Sequence, residues 1–316
     1  MLTEAQREER KRYIGSSDAP AVFGCDKYRS RYDLWLEKSG MLEPKKDDGN
    51  AATEAGNFLE AALVTWCESR TGLKAGRGAD GETGLSLVHP NGISACNLDA
   101  IAPAGDGIAE IWECKTSGIM GVWVDDDGNV KNAIDLREWG AEGSGDVPER
   151  VKVQVYHQIA VARAATGFKI PLARVPALLG GRGLVLFRVE CPDDVAESIL
   201  SAEEEFMRLV REGIEPEDQP HLDVLKRVRR VPNKCVDLEP ELVDAWDAAK
   251  LTESAAKKEK EALFARILCQ MGDAEAGQVP RGTLTYYSQH RAGYTVEPSD
   301  FRVARFSPAG AKRKRK

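Results

Sequence analysis

A chain of 316 residues, 42% of them hydrophobic, is long enough for one large globular domain plus an appendage. It holds no apolar run long enough to span a bilayer and its first residues are charged rather than signal-like, so the expectation is a cytoplasmic protein without membrane contact. Seven scattered cysteines with no C-x-x-C pair argue against a zinc ribbon, an iron–sulfur cluster or a disulfide framework, and a formal charge of −7 leaves nucleic-acid binding to the local distribution of bases.

Thr3-Glu4-Ala5-Gln6 is a capping box that opens a charged helix running to about Arg12. Ile14-Gly15-Ser16-Ser17-Asp18 is a turn rich in N-cap residues, leading into a short helix over Ala19 to Phe23. A hydroxyl and free N–H groups at such a start suit a phosphate; plain capping is the ordinary role of such serines. Ser30 to Lys38 reads as an amphipathic packing helix closed by Gly40, and Pro44 to Asn50 as a polar loop. Thr53 to Arg70 reads as a long helix ended by Gly72. Its main apolar stripe is Leu59, Leu63 and Trp66, and beside it run Gly56, Glu60, Val64 and Cys67. A single acid on an otherwise apolar stripe is costly unless paired, and a metal or its bound water is one such partner. A half-exposed surface glutamate is the alternative.

Lys74 to Gly84 is glycine-rich but lacks the strand-to-helix context of a phosphate loop, which predicts a flexible crossing. Leu85 to His89 is a predicted strand, followed by a turn at Pro90-Asn91-Gly92. Asn97-Leu98-Asp99-Ala100-Ile101 and Ile111-Trp112-Glu113-Cys114-Lys115-Thr116, with Gly105-Asp106-Gly107 between them, predict two strands joined by a tight loop. Alternation puts Glu113 and Lys115 on one face and Cys114 on the other, and pairing returns Asp99 beside Glu113. Two carboxylates and a lysine converging at strand ends suit a hard divalent cation such as Mg²⁺, with the lysine able to orient or deprotonate an attacking water. A solvated Glu–Lys pair on a hairpin face is the alternative.

Val122 to Val124 and Val130 flank the acidic Asp125-Asp126-Asp127-Gly128, a hairpin turn without calcium-loop spacing. Glu138 to Asp146 reads as loop. Pro148 and Gly167 bound a helix on which Gln154, His157 and Gln158 share one face and Val151, Val155 and Ile159 another. Leu184 to Val189 is a predicted buried strand, and Val195 to Glu212 a helix ending at Gly213. From Ile214 the texture changes to a proline-punctuated segment with the basic cluster Lys226-Arg227-Val228-Arg229-Arg230. Glu239 to Met271 is a long charged helix with Thr252 as a candidate break, and Thr283 to Tyr287 a strand with Tyr294 to Val296 as candidate hairpin partner. Lys312 to Lys316 is a basic tail, expected to be disordered and to act as a non-specific electrostatic arm.

Taken in series, Ile14-Gly15-Ser16-Ser17-Asp18-Ala19, Tyr32-Asp33-Leu34-Trp35, Gly56 to Glu60, Asp99, Glu113-Cys114-Lys115 and Gln154-Val155-Tyr156-His157-Gln158 resemble a known pattern. It is that of the lambda-type exonucleases, or YqaJ-type viral recombinases, of the PD-(D/E)xK nuclease superfamily. Leu98 stands where the superfamily's name has proline, and the resemblance runs to about Arg211. It implies an α/β, restriction-endonuclease-like core over 1–213, with a mixed central sheet flanked by helices. A helical extension with a β-hairpin over 214–306 and a basic tail over 307–316 would follow.

The activity so implied is a metal-dependent 5′→3′ exonuclease on double-stranded DNA ends, leaving 3′ overhangs for phage-type recombination in the host cytoplasm. In the implied site Asp99, Glu113 and the Cys114 carbonyl hold Mg²⁺, and Glu60 anchors a second ion or its water. Mn²⁺ would substitute. Lys115 positions the attacking water, Gln154 contacts the scissile phosphate or that water, and His157 lines the site. Arg10, at the family's distance, joins Ser17 on a terminal 5′-phosphate, with Arg7 and Arg12 as rivals. The implied partners are a single-strand annealing protein and further copies of the chain in a ring. An endonuclease and a RecB-like single-strand nuclease are the alternatives within the class; a catalytically silent DNA-end-binding protein is the alternative outside it.

Overall fold

The structure is a computed structural model that describes residues 10–43, 51–76, 85–118, 122–124, 130–132 and 136–288. Outside them lie most of the helix expected from Thr3, the crossing over 77–84, the acidic turn over 125–129, the strand expected at Tyr294 to Val296 and the basic tail. The chain divides into two compact units, Met1–Arg229 and Arg230–Lys316.

The first unit runs α1 (Ala19–Val22), α2 (Arg31–Lys38), α3 (Ala51–Thr71), β1 (Leu85–Val88), β2 (Ala95–Leu98), β3 (Ala100–Gly105), β4 (Ile108–Trp112) and β5 (Lys115–Ser117). It continues through β6 (Val122–Val124), β7 (Val130–Asn132), α4 (Glu149–Thr166), β8 (Leu172–Leu179), β9 (Gly183–Glu190), α5 (Asp193–Glu212) and α6 (Leu222–Lys226). Local chemistry sets the ends. Ser30 Oγ accepts the Asp33 N–H at 3.0 Å while Asp33 accepts the Ser30 N–H at 2.9 Å, a reciprocal cap for α2. α4 starts behind Pro148 and stops at Gly167, whose φ of 73° is left-handed.

β3 and β4 pair antiparallel around Asp106-Gly107, both at positive φ (50° and 71°), which matches the twist of a tight hairpin. The centre of the sheet is β8. It pairs in parallel with β4 and β5 along one side and antiparallel with β9 along the other. β4 and β5 are two halves of one run, with Ile111 opposite Ala173 and Lys115 opposite Ala177. The interruption falls at Glu113-Cys114. One step back from the Lys115–Ala177 pair, Cys114 faces Pro176, which has no N–H to give the ladder.

The sheet lies between helices. Ala100, Ala102, Trp112 and Leu186 pack with Val64 and Cys67 of α3 on one face. Ala109, Ile111, Ala173, Val175 and Phe187 pack with Val151, Val155 and Ile159 of α4 on the other. α5 covers α4 and α1. The α3 face that enters the core is therefore Val64 and Cys67 with Leu63, while Leu59 and Trp66 of the expected main stripe are only half-buried. Residues beyond α5 strap back over α2: His221 N–H reaches Asp33 at 2.9 Å, and Leu42 bridges Val228.

The second unit holds α7 (Pro240–Met271), β10 (Ala276–Val279) and β11 (Gly282–Thr285). α7 is unbroken at Thr252, whose hydroxyl bonds back to the Ala248 carbonyl at 3.0 Å. The strand expected near Thr283 pairs with β10, and its expected partner at Tyr294 to Val296 lies outside the described residues.

The turn ahead of α1 is fixed by a buried ion cluster. Lys38 Nζ donates to Asp18 Oδ2 at 2.6 Å and to the carbonyls of Arg10 and Tyr13 at 2.7 and 2.6 Å. Arg29 reaches Asp18 at 2.8 Å and the Ser17 carbonyl at 2.7 Å. Burial opposes the Asp18 charge, but Lys38 and Arg29 outweigh it and hold the carboxyl well below the usual range. The unfolded chain binds that proton more readily, so this contribution is complete above about pH 4 and is lost as pH falls further. Lys38→Met should cost about 3 kcal/mol at neutral pH, the low end for a broken buried pair because Arg29 remains. It should also flatten the acid limb of stability; urea titrations of both proteins across pH check the two effects.

Candidate active site

Asp99 and Glu113 come together where the chain changes sheets, and the charge of Glu60 on α3 is felt there. β2 pairs with β1 and β3 with β4, so Asp99 sits in the single-residue gap between two ladders. The Ala100–Trp112 pair fixes it opposite Glu113 at the open end of the β3–β4 hairpin. Cys114 N–H donates to Asp99 Oδ2 at 2.7 Å, so the strand break supplies the donor that holds the aspartate. On the α3 side, the Cys114 thiol lies 3.7 Å from the Glu60 carbonyl, which puts that stretch of α3 against the break.

Glu113 and Lys115 point toward α4. Lys115 Nζ donates to Glu113 Oε1 at 2.6 Å and to Gln154 Oε1 at 2.9 Å, and Gln154 Nε2 donates to Glu113 Oε1 at 2.7 Å. Gln158, one turn further along α4, donates to Glu113 Oε2 at 2.6 Å. The Glu113 side chain is 6% exposed and the Lys115 side chain 20%, so the lysine is the member of the pair that faces solvent.

Burial, then the charges of Glu113 and Glu60, push the Asp99 carboxyl well above its usual range. The Cys114 thiol is pushed up by burial and by the same acids, so it is no thiolate ligand at neutral pH. A carboxyl raised in this way by its acidic neighbours is one whose charge a divalent cation relieves. Among the described residues no group of three or more His, Cys, Asp or Glu is placed to enclose an ion by itself. An Mg²⁺-type site does not need one, because that ion binds through one or two carboxylates and keeps several waters. The residues fit such an ion.

Arg10 and Ser17 form a second cluster, with Arg10 Nη2 3.5 Å from Ser17 Oγ and both exposed. Their segment is tied to the strand that leads to Asp99: Ile14 N–H bonds to the Ile93 carbonyl at 2.7 Å, and Ala95 N–H to the Ile14 carbonyl at 2.9 Å.

His157 stands apart from both. Its ring is fully buried, with Nδ1 2.6 Å from Glu203 Oε1 and Nε2 2.9 Å from the Ala95 carbonyl; Glu203 also accepts from Ser94 Oγ at 2.6 Å. Burial opposes the imidazolium but Glu203 prevails and raises its pKa. The expected site-lining histidine is thus a core group with both nitrogens engaged, held between α4, β2 and α5. Sequence reading also passes over Lys38 and Arg29 behind the Ser17 turn, and gives Gln158 no contact with Glu113; the i, i+4 spacing of Gln154 and Gln158 is the signal that pointed there.

The model of the YqaJ-like viral recombinase domain matches residues 7–168. The chain is 30% identical over 199 residues to an uncharacterized protein YqaJ from Bacillus subtilis (strain 168), covering 63% of this chain and 53% of that protein, so it spans about half the length of that relative. Among solved structures, the alkaline exonuclease LHK-Exo from Laribacter hongkongensis, in complex with dAMP, has a TM-score of 0.44 at 15% identity over 67% of this chain and 94% of that one. A putative exonuclease from Eubacterium rectale has a TM-score of 0.39 at 14% identity, over 75% and 96%. Likenesses this distant leave the assignment to the family model, whose match takes in the Ser17 turn, Glu60, Asp99, Glu113, Lys115 and Gln154. By that match, which spans just over half of its length, the chain belongs to the YqaJ-like viral recombinase domain family.

Proposed function

We propose that this chain is a Mg²⁺-dependent exonuclease that degrades one strand of double-stranded DNA from its 5′ end and leaves a 3′ overhang for recombination. The observation that carries the reading is the convergence of Asp99, Glu113, Lys115 and Gln154 at the β4–β5 break. Asp99, Glu113 and the Cys114 carbonyl would hold one ion and Glu60 a second or its water, with Mn²⁺ able to substitute. When bound, such ions lower the pKa of a water and stabilise charge on the phosphate being cut.

The chain's own residues do the rest. Lys115, already donating to Glu113 and Gln154, has a third N–H with which to orient the attacking water. Gln154 uses its amide to fix a phosphate oxygen once it leaves Glu113. Arg10 and Ser17 grip the terminal 5′-phosphate beyond the ions, so that the next bond falls in register. The protein works in the host cytoplasm, with a single-strand annealing protein as partner and copies of itself in a ring; family membership supports both.

Asp99→Ala and Glu113→Ala should abolish cleavage while leaving DNA affinity nearly unchanged, because Lys and Arg contacts to phosphate supply most of it. Lys115→Ala should be inactive as well, yet still bind Mg²⁺ in calorimetry. A variant that digests linear DNA at the wild-type rate would remove that residue from the site.

Linear DNA carrying 5′-phosphates should be degraded faster than the same DNA with 5′-hydroxyls. Ser17→Ala and Arg10→Ala should erase most of that preference and keep basal cutting. The loss should be roughly ten- to a hundredfold, the equivalent of one charge-assisted hydrogen bond of about 1.5–3 kcal/mol. Equal digestion of both ends, or opening of covalently closed circles, would replace the exonuclease by an endonuclease.

A further inference from the structure

We infer that Gln158 is a positioning residue that holds the Glu113 carboxylate in its ligand orientation and thereby sets the metal affinity of the site. The inference rests on the reading of Glu113 as a metal ligand.

Glu113 has three side-chain donors around it, and they differ in kind. Oε1 is shared by Lys115 and Gln154, which also bond to each other and lie where water or a phosphate would arrive. Both are only half-buried, so both are open to new partners from solvent or a bound phosphate. Oε2 accepts from Gln158 Nε2 at 2.6 Å, and Gln158 is 1% exposed. The same nitrogen lies 3.3 Å from the Asn97 carbonyl. A carbonyl and an ionised carboxylate accept only, so the two N–H groups of one amide face two acceptors. The opposite orientation would set Oε1 against both. The orientation present instead leaves Oε1 buried with no partner among the described residues. A buried acceptor is left unpaired so that the donor can reach Glu113.

Gln158 therefore ties Glu113 to β2, the strand that runs directly into Asp99. One amide fixes the separation of the two acids. An N–H on one lone pair of Oε2 leaves its other lone pair for an ion, while Oε1 is held by Lys115 and Gln154. Groups that orient metal-binding side chains in this way typically govern metal affinity or activity by 10–100-fold.

The test uses the full chain, with Mn²⁺ as the calorimetric probe and Mg²⁺ in cleavage assays. Gln158→Met keeps the volume and removes both donors; Gln158→Asn keeps the amide and draws it back by one methylene. Both should raise the Mn²⁺ Kd by about 10–100-fold. The Mg²⁺ concentration for half-maximal cleavage should rise in step, with kcat at saturating Mg²⁺ recovering to near the wild-type value and the metal-free Tm little changed. A residue of purely structural role would instead lower the metal-free Tm and leave kcat depressed at any metal concentration. Wild-type Mn²⁺ affinity in a folded variant would overturn the inference, and so would failure of both variants to fold. If the wild-type chain binds no Mn²⁺ that Glu113→Ala removes, the metal-site reading itself falls.

Discussion

Asp99 and Glu113 are brought to one end of a hairpin, within reach of the charge of Glu60, and the first unit is arranged to keep them there against that repulsion. Like charges a few ångströms apart in a low-dielectric setting repel far more strongly than in water. The compensation is distributed over the fold. A strand interruption gives Asp99 a backbone N–H, α4 gives Glu113 two amides, and β5 gives it an ammonium. None of these donors belongs to the element that carries the acid it serves, apart from the Lys115 that follows Glu113 along the same run. The buried His157–Glu203 pair does the same service one layer deeper, pinning α4 to β2 and α5.

The parts written in local chemistry are legible from the sequence. The Gly105-Asp106-Gly107 turn, the caps at Ser30, Gly167 and Gly213, and the alternation around Glu113 all depend on neighbours within a few positions. The central strand is not legible. β8 is covered on both faces and so lacks alternation, and Pro176 within it reads as an argument against a strand. Pro176 is tolerated because its missing N–H falls where the partner strand is itself interrupted. His157 reads as a site residue because it shares a helical face with Gln154; its burial depends on Glu203, a partner on a distant helix. Lys38 reads as the polar end of a packing helix, and only the folded chain shows the three acceptors that draw it inside.

The second unit follows a different logic. No residue of α7 is buried; Lys250 pairs with Asp247 and with the face of Trp246 along the helix, and Phe264 meets Tyr286 beyond β11 edge-on. A helix of this kind draws on propensity, on neighbouring pairs along its own surface and on a contact with the hairpin segment that follows it, whereas α4 draws on a core.

The parallel join at β8 has a consequence for the order in which the molecule comes together. Two hairpins, β3–β4 and β8–β9, can each form from adjacent chain, but parallel strands cannot be joined by a tight turn, and Ile111 waits for Ala173. Closing that long loop is the entropically expensive and slow step. The first hairpin carries Asp99 and Glu113; Gln154 and Gln158 arrive with the helix that leads into the second. Local pairing thus brings the acids together with Lys115 and the Cys114 N–H beside them, while the two amides that hold Glu113 depend on the later helix. The complete site therefore exists only where both hairpins are joined across β4 and β8.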